Sequence, residues 1–334
     1  MKKNKLINVA IIVMIPVGMF FLVQCLCLFV MGRSILASPL DSVIALRTVG
    51  VNILAGFALC LNMSSGRMDL SLGGQALVGL LIGGNIALGF GFGPLGVAVL
   101  SVAFSAFAGL LIGLLFVTLR IQAIVLGIGM ALLFESISAA YSINGFQTFG
   151  HASLNILGNH WVILAVTAIV IVLMQILMLH SKFGIHYNCI RGNQQIAMSS
   201  GIKIFSNAVI CYVLAGALIG LSAVLRVGFT GIQQPQTGMD SIAVAFGGFL
   251  PVLLAMFLQR WVNVFLGIPI TVITFRILTM GMTTFNLSAD ASIVVSFGLL
   301  LVFMVIMSNM SIRKKKADFQ KRAKEATALL PTEY

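Results

Sequence analysis

Charged side chains are scarce in this chain of 334 residues: Asp, Glu, Lys and Arg make up 8% of it, against about 25% in an ordinary soluble domain. A water-facing surface of normal chemistry cannot be built from so few. Cysteine is sparse as well. Cys25, Cys27, Cys60, Cys189 and Cys211 lie in apolar runs or in one loop, without metal-like spacing, which argues against a disulfide framework and against zinc. No glycine-rich segment ends in Gly-Lys-Ser or Gly-Lys-Thr, so hydrolysis of ATP through a Walker loop is excluded. His-Glu-x-x-His and Gly-x-Ser-x-Gly are also missing, and His151, His160, His180 and His186 do not cluster. Membrane protease or lipase chemistry therefore has little support.

What is present is hydrocarbon: 60% of the residues are apolar and the mean hydropathy is +1.11. Apolar runs extend from Ile7 to Met307, so this is no soluble body with one signal or anchor. The length fits about nine to eleven spans of roughly 20 residues. Trp161 to Leu179 is one unbroken apolar stretch, whereas barrel strands need about 10 alternating residues. The expected fold class is all-α, a polytopic membrane bundle of about 10 transmembrane helices.

The spans are expected at Leu6 to Met31, Val43 to Leu61, Met68 to Phe90, Leu95 to Leu119, Ile121 to Ile143, Trp161 to Leu179, Ser206 to Val227, Ser241 to Leu258, Trp261 to Met280 and Phe285 to Ser308. The first follows Lys2, Lys3 and Lys5 with no obvious cleavage site behind it and is expected to be retained. Polar connections fall at Arg33 to Arg47, Asn62 to Arg67, Asn144 to His160, 181–205 and Gly228 to Met239. Residues 1–312 are read as the membrane domain and 313–334 as a basic tail that forms a short helix after Lys316.

The net charge of +12 resembles a nucleic-acid signature until it is read by position. Lys2, Lys3 and Lys5 open the chain, and Arg313, Lys314, Lys315, Lys316, Lys321, Arg322 and Lys324 crowd its end. With an even span count both tails share one side with Arg120, the Lys182 to Lys203 loop and Arg260. The positive-inside rule places that side in the cytoplasm. Arg33, Arg47 and Arg226 fall on the other. The charge thus reads as topology, with no nucleic-acid partner.

Glycine, at 34 residues, sits inside the spans at spacings of four, as at Gly79 and Gly83, Gly109 and Gly113, and Gly216 and Gly220. Such spacing lets helices approach closely in lipid; it also suits helices that slide or tilt around a pore. Ala108 to Leu115 (AGLLIGLL) echoes Ala215 to Ser222 (AGALIGLS) in spans of opposite direction, a hint of an inverted repeat.

Asp69, Glu135, Asp240 and Asp290 lie in or near apolar runs, where a carboxylate must pair, face water or sit near a helix end. Glu135 suits either a proton relay or a structural partnership. Asp69, at the start of a helix, reads as a cap for its amides. The Lys182 to Lys203 loop is longer than a turn requires and reads as a short surface helix between two turns, either a solvated connector or a docking surface for a cytoplasmic partner.

Three segments resemble the permease subunits of bacterial ABC importers for ribose and other simple sugars, a group similar to those for nucleosides, autoinducer-2 and branched-chain amino acids. Gly66-Arg67-Met68-Asp69-Leu70-Ser71-Leu72-Gly73 is similar to the family's Gly-Gly-Ile-Asp-Leu-Ser-Val-Gly. Phe183-Gly184 with Arg191-Gly192-Asn193-Gln194-Gln195-Ile196-Ala197-Met198-Ser199-Ser200-Gly201-Ile202 resembles its Phe-Gly, Gly-Asn-Glu-x-Ala-Ala and Ser-Gly-Ile loop. Ala215 to Pro235 followed by Gly238 resembles its small-residue helix and Gln-Pro-x-x-Gly turn.

The resemblance, which spans about Leu46 to Met307, implies a non-enzymatic subunit of the bacterial inner membrane. It implies a second permease chain, cytoplasmic ATP-binding subunits that bind and hydrolyse the ATP, and an extracytoplasmic solute-binding protein; no cofactor or metal is expected on this chain. Arg191, Gly192, Asn193, Gln194, Ala197 and Gly201 would then belong to the ATPase coupling loop. A sugar path needs neutral hydrogen-bonding groups with aromatic and small residues, which Asn52, Phe57, Asn62, Gln75, Asn85 and Phe134 supply, with Asp69 beside them. A carboxylate or phosphate path needs inward positive charge, for which Arg226 and Arg276 are the candidates, Arg226 being equally suited to reach the outer interface. Two departures fall near the expected path. Arg67 replaces a family glycine, and Phe246-Gly247-Gly248-Phe249-Leu250 runs into Pro251 without the family's later glycines. They suit one half of a heterodimer, or a path tuned to another small polar solute. A nucleoside or autoinducer-2 permease, an ion-coupled carrier using Glu135 or Asp69, and a membrane enzyme or scaffold are the competing readings.

Overall fold

The computed structural model describes the backbone of residues 2–259 and 262–288 and further positions at 291–292, 294–299, 301–302, 305, 309 and 319–320; side chains are described from Met14 onward. Arg260, Trp261, Asp290, most of the expected tenth span and nearly all of the basic tail lie outside the described residues. Two compact units divide the chain, Met1–Leu278 and Thr279–Tyr334. In the second, the described residues include the last turns of a helix and helical positions between 291 and 309. The first holds everything below.

Among the described residues, eight helices are long and apolar enough to cross a membrane. They are α1 (Lys2–Met31), α2 (Pro39–Met63), α3 (Leu72–Gly89), α4 (Pro94–Leu119), α5 (Ala123–Tyr141), α6 (His160–His180), α9 (Ile204–Thr230) and α11 (Val264–Thr284). Two short helices, α7 (Lys182–Gly192) and α8 (Gln194–Ser199), fill the loop before α9, and α10 (Ile242–Leu258) is a shorter apolar helix of 17 residues. The protein is an all-α, multi-pass membrane bundle.

Its edges differ from the expected spans for local reasons. α2 begins at Pro39, before its apolar run, because Ser38 and Asp41 form a capping box and Pro39 is pre-set for a first helical turn. α3 begins at Leu72, not Met68: Gly66 takes a left-handed φ of +77°, and the Asp69 carboxylate engages the Ser71 amide before the helix can start. The 181–205 loop contains two helices where one was expected, separated at Asn193, whose side chain caps the second. The expected polar connection from Asn144 to His160 is structured. Its strand β1 (Phe146–Gln147) pairs antiparallel with β2 (Ile232–Gln233) from the break after α9, and a 3-10 turn at Ala152–Gly158 buries Leu154 and Leu157.

α3 is the central element, and Val78–Gly84 within it is wound as a π-helix. Such widened turns are rare and concentrate at functional sites. Its glycines admit neighbours: Gly79 and Gly83 lie on Ser101, Ser105 and Leu100 of α4, and Gly84 on Phe146. α9 packs most extensively against α4 and then α2. The two echoed segments form much of the α4–α9 seam, with Gly109 and Gly113 on Tyr212 and Val209, and Gly216 and Gly220 on Ser105. Backbones can approach this closely only where side chains are small, which is the principal source of helix association in lipid.

Candidate functional site

Contacts define two ends of the bundle. At the basic end, Arg120 stacks over Phe205 with 5.9 Å to the ring centroid, and the 182–199 helices lie on the end of α2. At the ribbon end, β1 and β2 tie the loop after α5 to the loop after α9.

Four polar side chains meet where α2 gives way to α3. The Asp69 carboxylate accepts from Ser71 N at 2.9 Å, Ser71 Oγ at 2.5 Å, Gln75 Nε2 at 3.0 Å and Asn62 Nδ2 at 3.5 Å. Gln75 Nε2 also donates to Ser71 Oγ, and Ser105 Oγ donates to the Gln75 carbonyl. Asp69 is therefore not the N-cap itself but a clamp that holds the entry to α3 in shape. Asn62, Asp69 and Gln75 are buried at 0–1% exposure, and none of them lines the cavity described below. Arg67, also buried, lies beside Cys211 and Tyr212. Its Nε and Nη2, with Asn62 Oδ1, Gln75 Oε1 and the Tyr212 hydroxyl, lack a partner among the described residues, the composition that calls for bound water. Replacing Asp69 with Ala should cost about 3 kcal/mol or more, since it strands several buried donors. A fall in the detergent melting temperature would register this.

The remaining expected path residues scatter. Phe57 stacks on Phe265 at 6.1 Å between ring centroids, Phe134 fills a core cluster with Met130 and Tyr212, and Asn52 is half-buried on α2. Asn85 joins α3 to the ribbon end by donating to Leu81 O, Ser142 Oγ and Gly145 O.

A different set surrounds open space. Gly73, Ala76, Ser222, Arg226, Gln233 and Gln236 help line a cavity of about 70 Å³ between α3, α9, the 232–241 segment and the start of α10. Thr237, Gly238, Met239 and Asp240 are exposed, and burial begins at Ser241, where α10 starts. Ser241 O lies where a Cβ on Gly73 would stand. Glu135, about 18 Å along α5 from its first residue at 1.5 Å rise, accepts from Met239 N at 2.9 Å and Ser241 N at 2.8 Å. A buried carboxylate thus caps the two amides at the entry to α10. The three elements come together only in the fold, so no spacing in the sequence marked Gln233, Gln236, Ser222 or Ser241. Arg276 lies outside this cavity.

At the basic end, Tyr187 of α7 is hydrogen-bonded to Ser64 and donates to Cys60 O at 3.2 Å; burial holds its phenol above the ordinary value. Gln194 Nε2 reaches Ser65 O at 3.2 Å. Asn193 Oδ1 caps α8 through Gln195 N and Ile196 N, Gly201 ends it with φ +77°, and Ala197 is buried. Arg191 is half-buried and Gly192 faces open space. Ile196 and Met198 are 64% and 62% exposed, an apolar pair beside the exposed Gln194 and Gln195.

Comparison with known proteins places this geometry. Residues 42–304 match the family described as branched-chain amino acid transport system / permease component. The ribose import permease protein of Bacillus subtilis (strain 168) is 28% identical over 251 residues, covering 69% of this chain and 74% of that protein. The galactose/methyl galactoside import permease protein of Escherichia coli (strain K12) is 22% identical over 241 residues, 67% of this chain and 69% of that one. The fold is similar to that of a metal-chelate type ABC transporter solved in an inward-facing conformation, with a TM-score of 0.50 and 16% identity over 89% of this chain and 99% of the other. With a match covering most of its length, the chain belongs to the branched-chain amino acid transport system / permease component family.

Proposed function

We propose that the chain is the permease subunit of a bacterial sugar-type ABC importer and carries a small polar solute across the inner membrane. The path runs beside α3, between α9 and the 232–241 segment. The chain is not an enzyme; ATP is hydrolysed by a separate subunit. The basic end faces the cytoplasm with both chain termini, and the ribbon end receives solute from an extracytoplasmic binding protein. A second permease chain completes the membrane part.

The observation that carries the reading is the joint between α7–α8 and the end of α2. Tyr187 and Gln194 hold the short helices against Cys60, Ser64 and Ser65, a few residues before the Asp69 clamp. A push on α8 is therefore delivered to the root of α3, which lines the cavity. The exposed Ile196 and Met198 supply the face that a cytoplasmic ATPase subunit covers. Replacing both with Asp is expected to reduce ATPase co-purification at least tenfold, equivalent to about 1.4 kcal/mol of lost binding, with unchanged membrane yield. Undiminished recovery of the ATPase would remove α8 from the interface. The general test is ATP-driven uptake of a neutral pentose or hexose in liposomes holding the whole assembly. Uptake by this chain alone under an ion gradient would favour a secondary carrier.

A further inference from the structure

The cavity beside α3 contains one feature that a path for neutral sugars does not require. Arg226 projects into it from α9, together with Ser222, Gln233 and Gln236. Within this first unit, Asp41 caps α2, Asp69 is bonded to Ser71, Gln75 and Asn62, and Glu135 is occupied by the amides of Met239 and Ser241. The fourth carboxylate, Asp240, is exposed. The Arg226 side chain has no hydrogen bond or ion pair among the described residues; its carbonyl accepts from Thr230 Oγ1. Arg226 is half-buried, about one turn from the end of α9, and arginines in membrane spans that face a bundle interior or a water-filled cavity mark substrate and ion pathways.

We infer that the carried solute bears an anionic group, a carboxylate or a phosphate on a polyhydroxylated body, and that Arg226 receives that group in the cavity between α3, α9 and the 232–241 segment. The inference rests on the reading of this cavity as part of the solute path. The planar guanidinium fork matches either oxyanion with two parallel hydrogen bonds. At about 70 Å³ the space admits several waters or a small polar group. Ser222, Gln233 and Gln236 offer neutral donors and acceptors to hydroxyls next to the anionic group. The close approach of α3 at Gly73 and Ala76 keeps the wall small.

The test reads Arg226 directly and does not depend on which solute the binding protein accepts. The complete assembly is treated with phenylglyoxal in the presence of D-ribonate, D-ribose 5-phosphate or D-ribose, and modification of the Arg226 peptide is followed by mass spectrometry. Ribonate or the sugar phosphate is expected to slow modification at least threefold, and the stronger of the two identifies the oxyanion; ribose should have no effect. Equal protection by ribose, absence of protection, or an Arg226 that does not react would each overturn the inference. As a second arm, Arg226→Gln should abolish protein-dependent binding of the protecting anion, by about tenfold or more for a lost charge-assisted pair, whereas Arg226→Lys should retain most of it. Loss in both variants alike would assign Arg226 a purely structural role. ATP-driven uptake of ribose, unaffected by Arg226→Gln, would leave the importer reading standing and reject the anion. Failure to recover any ATPase or ATP-driven uptake would instead strike at the importer.

Discussion

Replacing Gly73 with Ala should lower ATP-driven uptake by the assembled transporter at least tenfold. The added Cβ falls on the carbonyl of Ser241, a main-chain group that cannot swing aside as the end of a side chain does. Ser241 is pinned from the other side as well, since its N–H is held by Glu135 at 2.8 Å. Relief must therefore come from moving α3 or the start of α10, and overpacking of this kind costs about 1–3 kcal/mol. Because both elements line the cavity, the displacement changes the path itself. Gly247→Ala, in α10 on the other side of that contact but with nothing within 4 Å of its added Cβ, is the control and should keep uptake within about twofold, as substitutions away from tight contacts generally do. Equal uptake by the two variants would show that the α3–α10 approach does not shape the path.

The second large effect is expected at Glu135. Replacing it with Ala leaves the amides of Met239 and Ser241 without their acceptor, at about 1–3 kcal/mol for each stranded buried donor. The melting temperature of the detergent-solubilised chain should fall by several degrees, and uptake should fall with it. Glu135→Gln is expected to lie between, because one carboxamide oxygen still accepts while the amide nitrogen faces an N–H. A proton relay predicts a different pattern: Glu135→Gln would abolish uptake at unchanged stability, and uptake would follow an imposed proton gradient. The two measurements together, stability and gradient dependence, separate the cap from the relay. The cap also explains why a buried carboxylate is tolerated here at all, since each of its oxygens accepts from a backbone N–H.

Much of the architecture was legible in the sequence because lipid imposes it. A segment of about 20 apolar residues without partners must satisfy its own backbone, and a helix is the way to do so; α4, α5, α6 and α9 accordingly fall close to their expected limits. The Gly66 to Gly73 and Phe183 to Ile202 segments were legible for another reason, their resemblance to known permeases, and the family match bears that out. Boundaries set by side-chain chemistry were harder. Ser38 and Asp41 drew α2 out to Pro39, and Asp69 delayed α3 to Leu72, because one carboxylate can outweigh several apolar neighbours where it meets a free amide. The count of about ten spans extends into residues that the structure does not describe.

The sequence by itself thus determined solvent, fold class and the identity of the two family segments, all of which depend on local composition or on linear motifs. Only the tertiary structure decided which polar groups share a space. Asn62, Asp69 and Gln75, expected beside the path, meet one another in an internal clamp away from the cavity, with Asn62 Oδ1 and Gln75 Oε1 left without a partner among the described residues. Arg226, Gln233 and Gln236 became neighbours of Gly73 and Ala76 because the segment after α9 packs its far end, at Ser241, against α3. That packing depends on Glu135 and Gly73, more than 100 and more than 160 residues away in the chain from Ser241. Hydrogen-bond complementarity across such separations has no period and no spacing, so it enters only when the helices are packed.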